Sequence, residues 1–381
     1  MVQKTASSQS DHVPPAQPRK YWLDLARVIA IVSITFNHAL SRSFATRGGS
    51  MQEFLQMSVT GSFLKAFLYA FSRIGVPLFL MISGALLLKR DYEDKTVTRR
   101  FLQHNWWELF RTVLIWQFII FWFMQIGKDE ALRTFGIGRA LKEMLSTMLF
   151  INQTTLPNMW YMSMILVVYL MIPVISIGIK RLGDRFFYIL FMVAAICGFL
   201  IPTVNSLLFV AGSTFRIEFA FSVSDLFSLY FVYILAGYWI HEEKLAGIRT
   251  TWLYLGFVAS FLCSVIFQFW AYSTPRDFFL LYTDVGILIA SVFLFEMLRR
   301  KAEVFSAVRK PVTYLSRISL GIFFLHLCIM TSIVFVLSRV GKVERFPRFV
   351  ILEVASFLLS VLIIWITSRS KKIAHYLYLI K

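Results

Sequence analysis

The chain has 381 residues, 58% hydrophobic, 17% aromatic and only 16% charged, and with a mean hydropathy of +0.68 it is too apolar for a soluble globule. Its 39 Lys and Arg against 21 Asp and Glu leave a formal net charge of +18, but these bases sit in short clusters between apolar runs, the pattern of membrane topology and not of nucleic-acid binding. Cys197, Cys263 and Cys328 each lie inside an apolar run, and no His, Asp or Glu falls at an HExxH or EF-hand spacing, so neither a disulfide framework nor a metal site is indicated.

Residues 1–18 are polar, with Ser, Gln and Pro and no apolar core of a signal peptide, and read as a short disordered cytoplasmic tail. The first apolar stretch, 21–41, is long enough to cross a bilayer yet carries Asp24, Arg27, Asn37 and His38. Charges at that depth are costly and usually functional. Arg27 and His38 are eleven positions apart. At about 100° and about 1.5 Å per residue, that leaves them roughly 20° apart in azimuth and roughly 16 Å apart along one helix face. The layout suits a long ligand with a charged tail and a reactive tip. It suits equally an arginine snorkelling to headgroups and a histidine satisfied inside a helix bundle.

Nine further stretches follow, at 62–88, 107–127, 159–180, 186–208, 224–241, 251–272, 279–298, 315–338 and 348–369. The fold class expected is all-α, a polytopic membrane protein of about ten transmembrane helices. The membrane domain covers 19–370 and a basic tail 371–381. Clusters at Arg19-Lys20, Lys89-Arg90, Lys180-Arg181, Arg299-Arg300-Lys301 and Lys371-Lys372 fall on one side if ten spans alternate, which places both termini in the cytoplasm. The segment 128–157 is then the longest external connection, with 136–150 apolar enough for an interfacial helix. Trp and Tyr gather at span ends as an interfacial belt, and Trp160-Tyr161, opening a span from outside, is placed to stack on a sugar. There is no internal repeat.

Several stretches in register resemble the membrane-embedded acyltransferase family 3, the bacterial enzymes that O-acylate surface glycans. They are Leu23-Asp-x-x-Arg27 followed by His38, Ser72-Arg-Ile-Gly-Val-Pro-Leu-Phe-Leu-Met-Ile-Ser-Gly84, the run from Met159 to Pro173, Leu235-Ala-Gly-Tyr238, and Ser319-Leu-Gly-Ile-Phe-Phe-Leu-His326. The resemblance implies a place in the bacterial inner membrane, a cytoplasmic acyl-CoA donor, usually acetyl-CoA, and a hydroxyl of a glycan or lipid-linked saccharide as acceptor. It also implies that Arg27 and His38 are the essential pair. Members with a cytoplasmic Arg-x-x-Arg after the second span find no counterpart here, because Arg99 and Arg100 are adjacent and Arg111 lies further along.

A sugar hydroxyl attacks a thioester only if a base takes its proton, and imidazole is the usual choice, which makes His38 the expected base. Asn37 beside it is a candidate orienting or oxyanion donor. His326 either orients His38, donates to the thioester oxygen or fills a bonded core position. Arg27 is expected to pair with coenzyme A phosphates, unless Asp24 three residues earlier neutralises it. Arg73 is a further pore-lining cation, and Arg99, Arg100 and Arg111 are the other candidate donor contacts. Asp284, an acid near an apolar run, either pairs with Arg216 or Arg276 or touches substrate. Ser83 lacks the G-x-S-x-G elbow, so direct transfer is expected without an acyl-enzyme. Besides the acyl-CoA donor, no cofactor or metal is expected, and the partners are the saccharide and lipid. The competing class is a glycan or acyl-intermediate exporter with His38 and His326 as proton relays, which the missing repeats and missing phosphate loop disfavour.

Overall fold

The computed structural model describes residues 19–46, 48–126, 129–151, 159–218 and 230–380. Regular structure among them is helical throughout. In chain order the helices are α1 (Tyr21–Ser43), α2 (Ser50–Gln56), α3 (Val59–Ser72), α4 (Gly75–Leu87), α5 (Lys95–Phe101), α6 (Trp107–Ile126), α7 (Asp129–Met148), α8 (Trp160–Ala195), α9 (Ile201–Val210), α10 (Phe231–His241), α11 (Thr250–Tyr272), α12 (Val285–Lys301), α13 (Arg309–Val340), α14 (Arg345–Thr367) and α15 (Lys371–Tyr378).

Seven helical runs are long and apolar enough to cross a membrane: Tyr21–Ser43, Val59–Leu87, Lys95–Gln125, Trp160–Val210, Thr250–Tyr272, Val285–Val340 and Arg345–Thr367. Phe231–His241 is a shorter apolar helix. The chain is therefore a multi-pass membrane protein. The runs of 51 and 56 residues would each be far longer than a bilayer is thick, and both are broken. The first breaks at Gly183, whose φ of 78° is one that glycine adopts without a Cβ penalty. The second breaks at the 3-10 segment Ala302–Val308.

Each of the ten apolar stretches overlaps a helix, though with different limits. The stretch 62–88 is two helices, because Pro77 has no N–H for the carbonyl of Arg73 and its ring would clash there. The break falls at Arg73-Ile74, between α3 and α4. The stretch 279–298 becomes helical only at Val285, where Asp284 caps the N-terminus. Part of 224–241 lies outside the described residues. The expected tail 371–381 contains α15, which buries Ala374 and Tyr378 and packs on α6, α13 and α14. The indole of Trp116 donates to the Leu377 carbonyl at 2.7 Å and the Thr112 hydroxyl to that of Tyr376 at 2.9 Å.

Helix α1 occupies the middle of the bundle, against α3, α4, α12, α13 and α14. Ala26, Ala30 and Ala39 on it are fully buried, and such small residues let neighbouring helices approach closely where lipid offers no competing hydrophobic force. The tightest crossing is α4 with α10. A Cβ on Gly84 would run into the Ile234 backbone, and one on Gly237 into that of Met81. Deeper along α1, the Thr35 hydroxyl donates to the buried Glu353 carboxyl of α14 at 2.6 Å.

One end of the bundle gathers the loops after α4, α10 and α12 with the break in α8. Lys89 pairs with Glu242 at 3.1 Å, Arg181 with Glu93 at 2.6 Å, Lys244 with Asp184 at 2.7 Å and Arg299 with Glu243 at 2.9 Å. Exposed pairs of this kind each contribute little, at most about 1 kcal/mol. Their value is geometric, since they bring the basic clusters onto the face that carries the N-terminus of α1.

Candidate active site

At that basic face α1 enters the bundle through its own ion pairs. Arg19 grips Asp24 with two nitrogens, at 2.6 and 2.8 Å, and the Ser316 hydroxyl of α13 donates to the same carboxylate at 2.7 Å. Asp24 is buried, so these bonds satisfy a group that would otherwise be costly. Arg27 reaches Asp24 only at 3.4 Å. Asp24 thus belongs mainly to Arg19 and leaves the Arg27 guanidinium available.

Arg27 lines two adjoining cavities, which also share Leu86 and Arg90. The outer one, about 410 Å³, is walled by Lys20, Lys89, Arg90 and His241, with Lys20 Nζ 3.4 Å from His241 Nε2. This mouth is strongly cationic. The inner one, about 390 Å³, is lined by Ser83, Tyr161, Tyr169, Ser319 and Phe323 and also by His104, Asn105 and Glu108. The Phe323 ring lies 5.8 Å from Tyr161 and 6.1 Å from His326. Of the rings that line the cavity, Phe323 is the one that packs against His326.

His326 is fully buried on α13. Its Nδ1 sits 2.9 Å from the Ile322 carbonyl, one turn back. A carbonyl only accepts, so Nδ1 carries the proton and Nε2 presents a lone pair. That Nε2 has no hydrogen-bond partner among the described residues. The His38 ring, contributed by α1, lies 5.2 Å away at an interplanar angle of 42°. A lone pair held in a fixed direction beside a second imidazole is suited to receive a proton that the second imidazole carries.

Arg42 and Arg73 both lie close enough to His38 to act on it electrostatically. Arg42 touches the His38 carbonyl at 3.4 Å. Arg73, at the α3–α4 break that Pro77 causes, is held by the Tyr69 hydroxyl and by the faces of Tyr69 and Tyr282 at 4.4 and 5.0 Å. Trp160 packs on Tyr282 at 5.7 Å and on Tyr230 at 6.0 Å.

The residues singled out from sequence thus divide into groups. Arg27 and Tyr161 line the inner cavity, His326 packs on its Phe323 wall and against His38, and Trp160 and Arg73 meet at Tyr282. Asn37 is adjacent to His38 but, as an i,i+1 neighbour, turns about 100° away. Arg99 borders a separate surface hollow with Lys95 and Thr98, and Arg100 is exposed. Arg111 packs on the Tyr376 ring at 4.3 Å and meets His375 at 3.3 Å, which ties it to α15. Asp284 pairs with neither Arg216 nor Arg276. Its carboxylate accepts from Ser264 at 2.8 Å and from the Ile287 N–H at 3.0 Å, a helix cap.

Lys20, Lys89, Arg90, Tyr169 and Ser319 were not read as site residues from the sequence. The adjacent Lys89 and Arg90, directly after an apolar helix, carried a signal, but the topology rule absorbed it.

Fold and site together define a multi-pass helical membrane protein with a cationic cavity at one end of its bundle and a pair of adjacent imidazoles within that bundle. A family model described as an acyltransferase domain, family 3, matches residues 20–366. The chain belongs to this family and is a membrane acyltransferase. Neither a curated protein nor a solved structure shows significant similarity to it.

Proposed function

We propose that the chain is an acyl-CoA-dependent O-acyltransferase, moving an acetyl group in the simplest case to a hydroxyl of a cell-surface or lipid-linked glycan. In this reading the chain crosses the bacterial inner membrane ten times with both termini in the cytoplasm, since the basic loops collected at the α1 N-terminus belong on the inner side. The observation that carries the reading is the pair of adjoining cavities that share Arg27 and Arg90, one walled by Lys20 and Lys89 and the other by Phe323, whose ring packs against His326.

The donor's phosphates sit in the cationic mouth, where charge-assisted hydrogen bonds contribute about 1.5–3 kcal/mol each. The pantetheine arm follows α1 inward and brings the thioester to the histidines. His38 takes the proton of the acceptor hydroxyl as its oxygen bonds to the thioester carbon. The tetrahedral intermediate then expels the thiolate, and the proton on His38 passes to that sulfur. Free coenzyme A and the ester leave, with no net change in protons. His326, locked by Ile322, acts as a positioning residue that accepts a hydrogen bond from the protonated His38.

The test is transfer from labelled acetyl-CoA by the full-length protein in membranes. Wild type consumes donor and labels glycan. His38→Ala, folded and expressed equally, does neither. Glycan flux without donor consumption would favour the exporter.

A further inference from the structure

Several cations at the ends of this bundle are paired with a carboxylate. Lys65 has Glu53 at 2.6 Å, and Arg299 and Arg300 share Glu296 at 2.8 and 2.5 Å. Arg19 has Asp24. Arg73 and Arg42, the two guanidiniums next to His38, have no carboxylate partner among the described residues. Arg73 is surrounded by phenol faces and hydroxyls, which hold its plane without cancelling its charge, and its Nε is buried with no partner. A guanidinium so placed within a helix bundle is costly unless an anion that is not part of the chain completes it.

Phosphates seated at Arg27 would not supply that anion, because Arg27 lies eleven residues before His38, roughly 16 Å back along α1, and neither entrance cavity includes Arg73 or Arg42. Beside Arg73 there is instead an aromatic cluster, in which Tyr282 contacts both the Arg73 guanidinium and the Trp160 ring, and Tyr230 flanks Trp160. Aromatic rings next to an uncompensated, planar, fork-shaped cation fit a sugar whose face stacks on one of them and whose carboxylate is held bidentately.

We infer that Arg73, seconded by Arg42, is the seat of a substrate carboxylate, and that the acceptor is an acidic saccharide of the uronic acid kind stacked on Trp160 and Tyr282. The inference rests on the acyl-transfer reading for the direction from which the sugar arrives. The same chemistry would be met by a dicarboxylic acyl group, whose far carboxylate would reach Arg73 from the donor side.

Binding to the full-length protein in detergent separates these sources. The first arm compares D-glucuronic acid with D-glucose, and the second compares succinyl-CoA with acetyl-CoA. Wild type is expected to bind glucuronate about tenfold or more tighter than glucose, with the preference shrinking as salt is added. Arg73→Gln is expected to abolish the preference and Arg73→Lys to keep part of it, which shows that the loss follows charge and not misfolding. If the preference appears only between the two thioesters and is lost in Arg73→Gln, the carboxylate belongs to the acyl group. Equal binding within both pairs, or a preference that survives Arg73→Gln, overturns the inference. His38→Ala should retain the glucuronate preference, so failure of acyl transfer and failure of this seat are read separately.

Discussion

The imidazoles of His38 and His326 come from helices at opposite ends of the chain, yet their ring centres lie 5.2 Å apart, with His326 fixed by the Ile322 carbonyl. If His326 acts through His38, the two residues behave as one unit. His38→Ala should lower transfer by about 10²–10⁴-fold. His326→Ala should cost about tenfold or more by itself but almost nothing further in the His38→Ala background. Initial rates of the two single variants and the double variant decide it, and additive losses would mean that His326 acts elsewhere.

Arg27 lines both entrance cavities, while Asp24 is committed to Arg19 and Ser316. Arg27→Gln should raise the KM for acetyl-CoA by about 10–100-fold, the worth of one charge-assisted hydrogen bond to phosphate. It should leave transfer from acetyl-pantetheine, which lacks the nucleotide, unchanged. Asp24→Asn should instead lower the thermal midpoint and leave the donor KM near wild type. Steady-state kinetics with the two donors checks both statements.

The first span was legible because its charged residues interrupt an apolar run, and helix geometry alone puts Arg27 and His38 on one face. The break that presents Arg73 was also written in the sequence, four residues ahead of Pro77, although the apolar average over 62–88 concealed it. The partner of Asp24 was not legible. Arg19 lies outside the span, and Ser316 comes from a helix whose register against α1 only the tertiary packing sets. The cationic mouth was hidden for a similar reason, since Lys20, Lys89 and His241 come from three separate segments. Helix α15 was missed because bases dominate it, although Ala374 and Tyr378, at i and i+4, form a buried stripe.

The α4–α10 crossing leaves no room for a side chain at Gly84 or Gly237. Gly84→Val and Gly237→Val should each destabilise the protein by about 1–3 kcal/mol or more, because the clash is with backbone. Thermal unfolding in detergent reads this directly. Gly138→Ala, which meets nothing within 4 Å, is the control and should unfold no earlier than wild type, since alanine is the better helix former.

Thr35 donates to a Glu353 carboxyl whose other oxygen, Oε2, has no hydrogen-bond partner among the described residues. Thr35→Val should therefore cost about 1–3 kcal/mol by stranding a buried polar group, and Thr35→Ser should restore most of it. The thermal midpoints of the two variants provide the check.

The central claim is tested most directly by mass spectrometry of envelope glycans from otherwise identical cells producing wild type, His38→Ala or neither. An added acyl mass in the wild-type sample alone is the result expected. The same acyl mass in cells producing His38→Ala at equal level would contradict the mechanism.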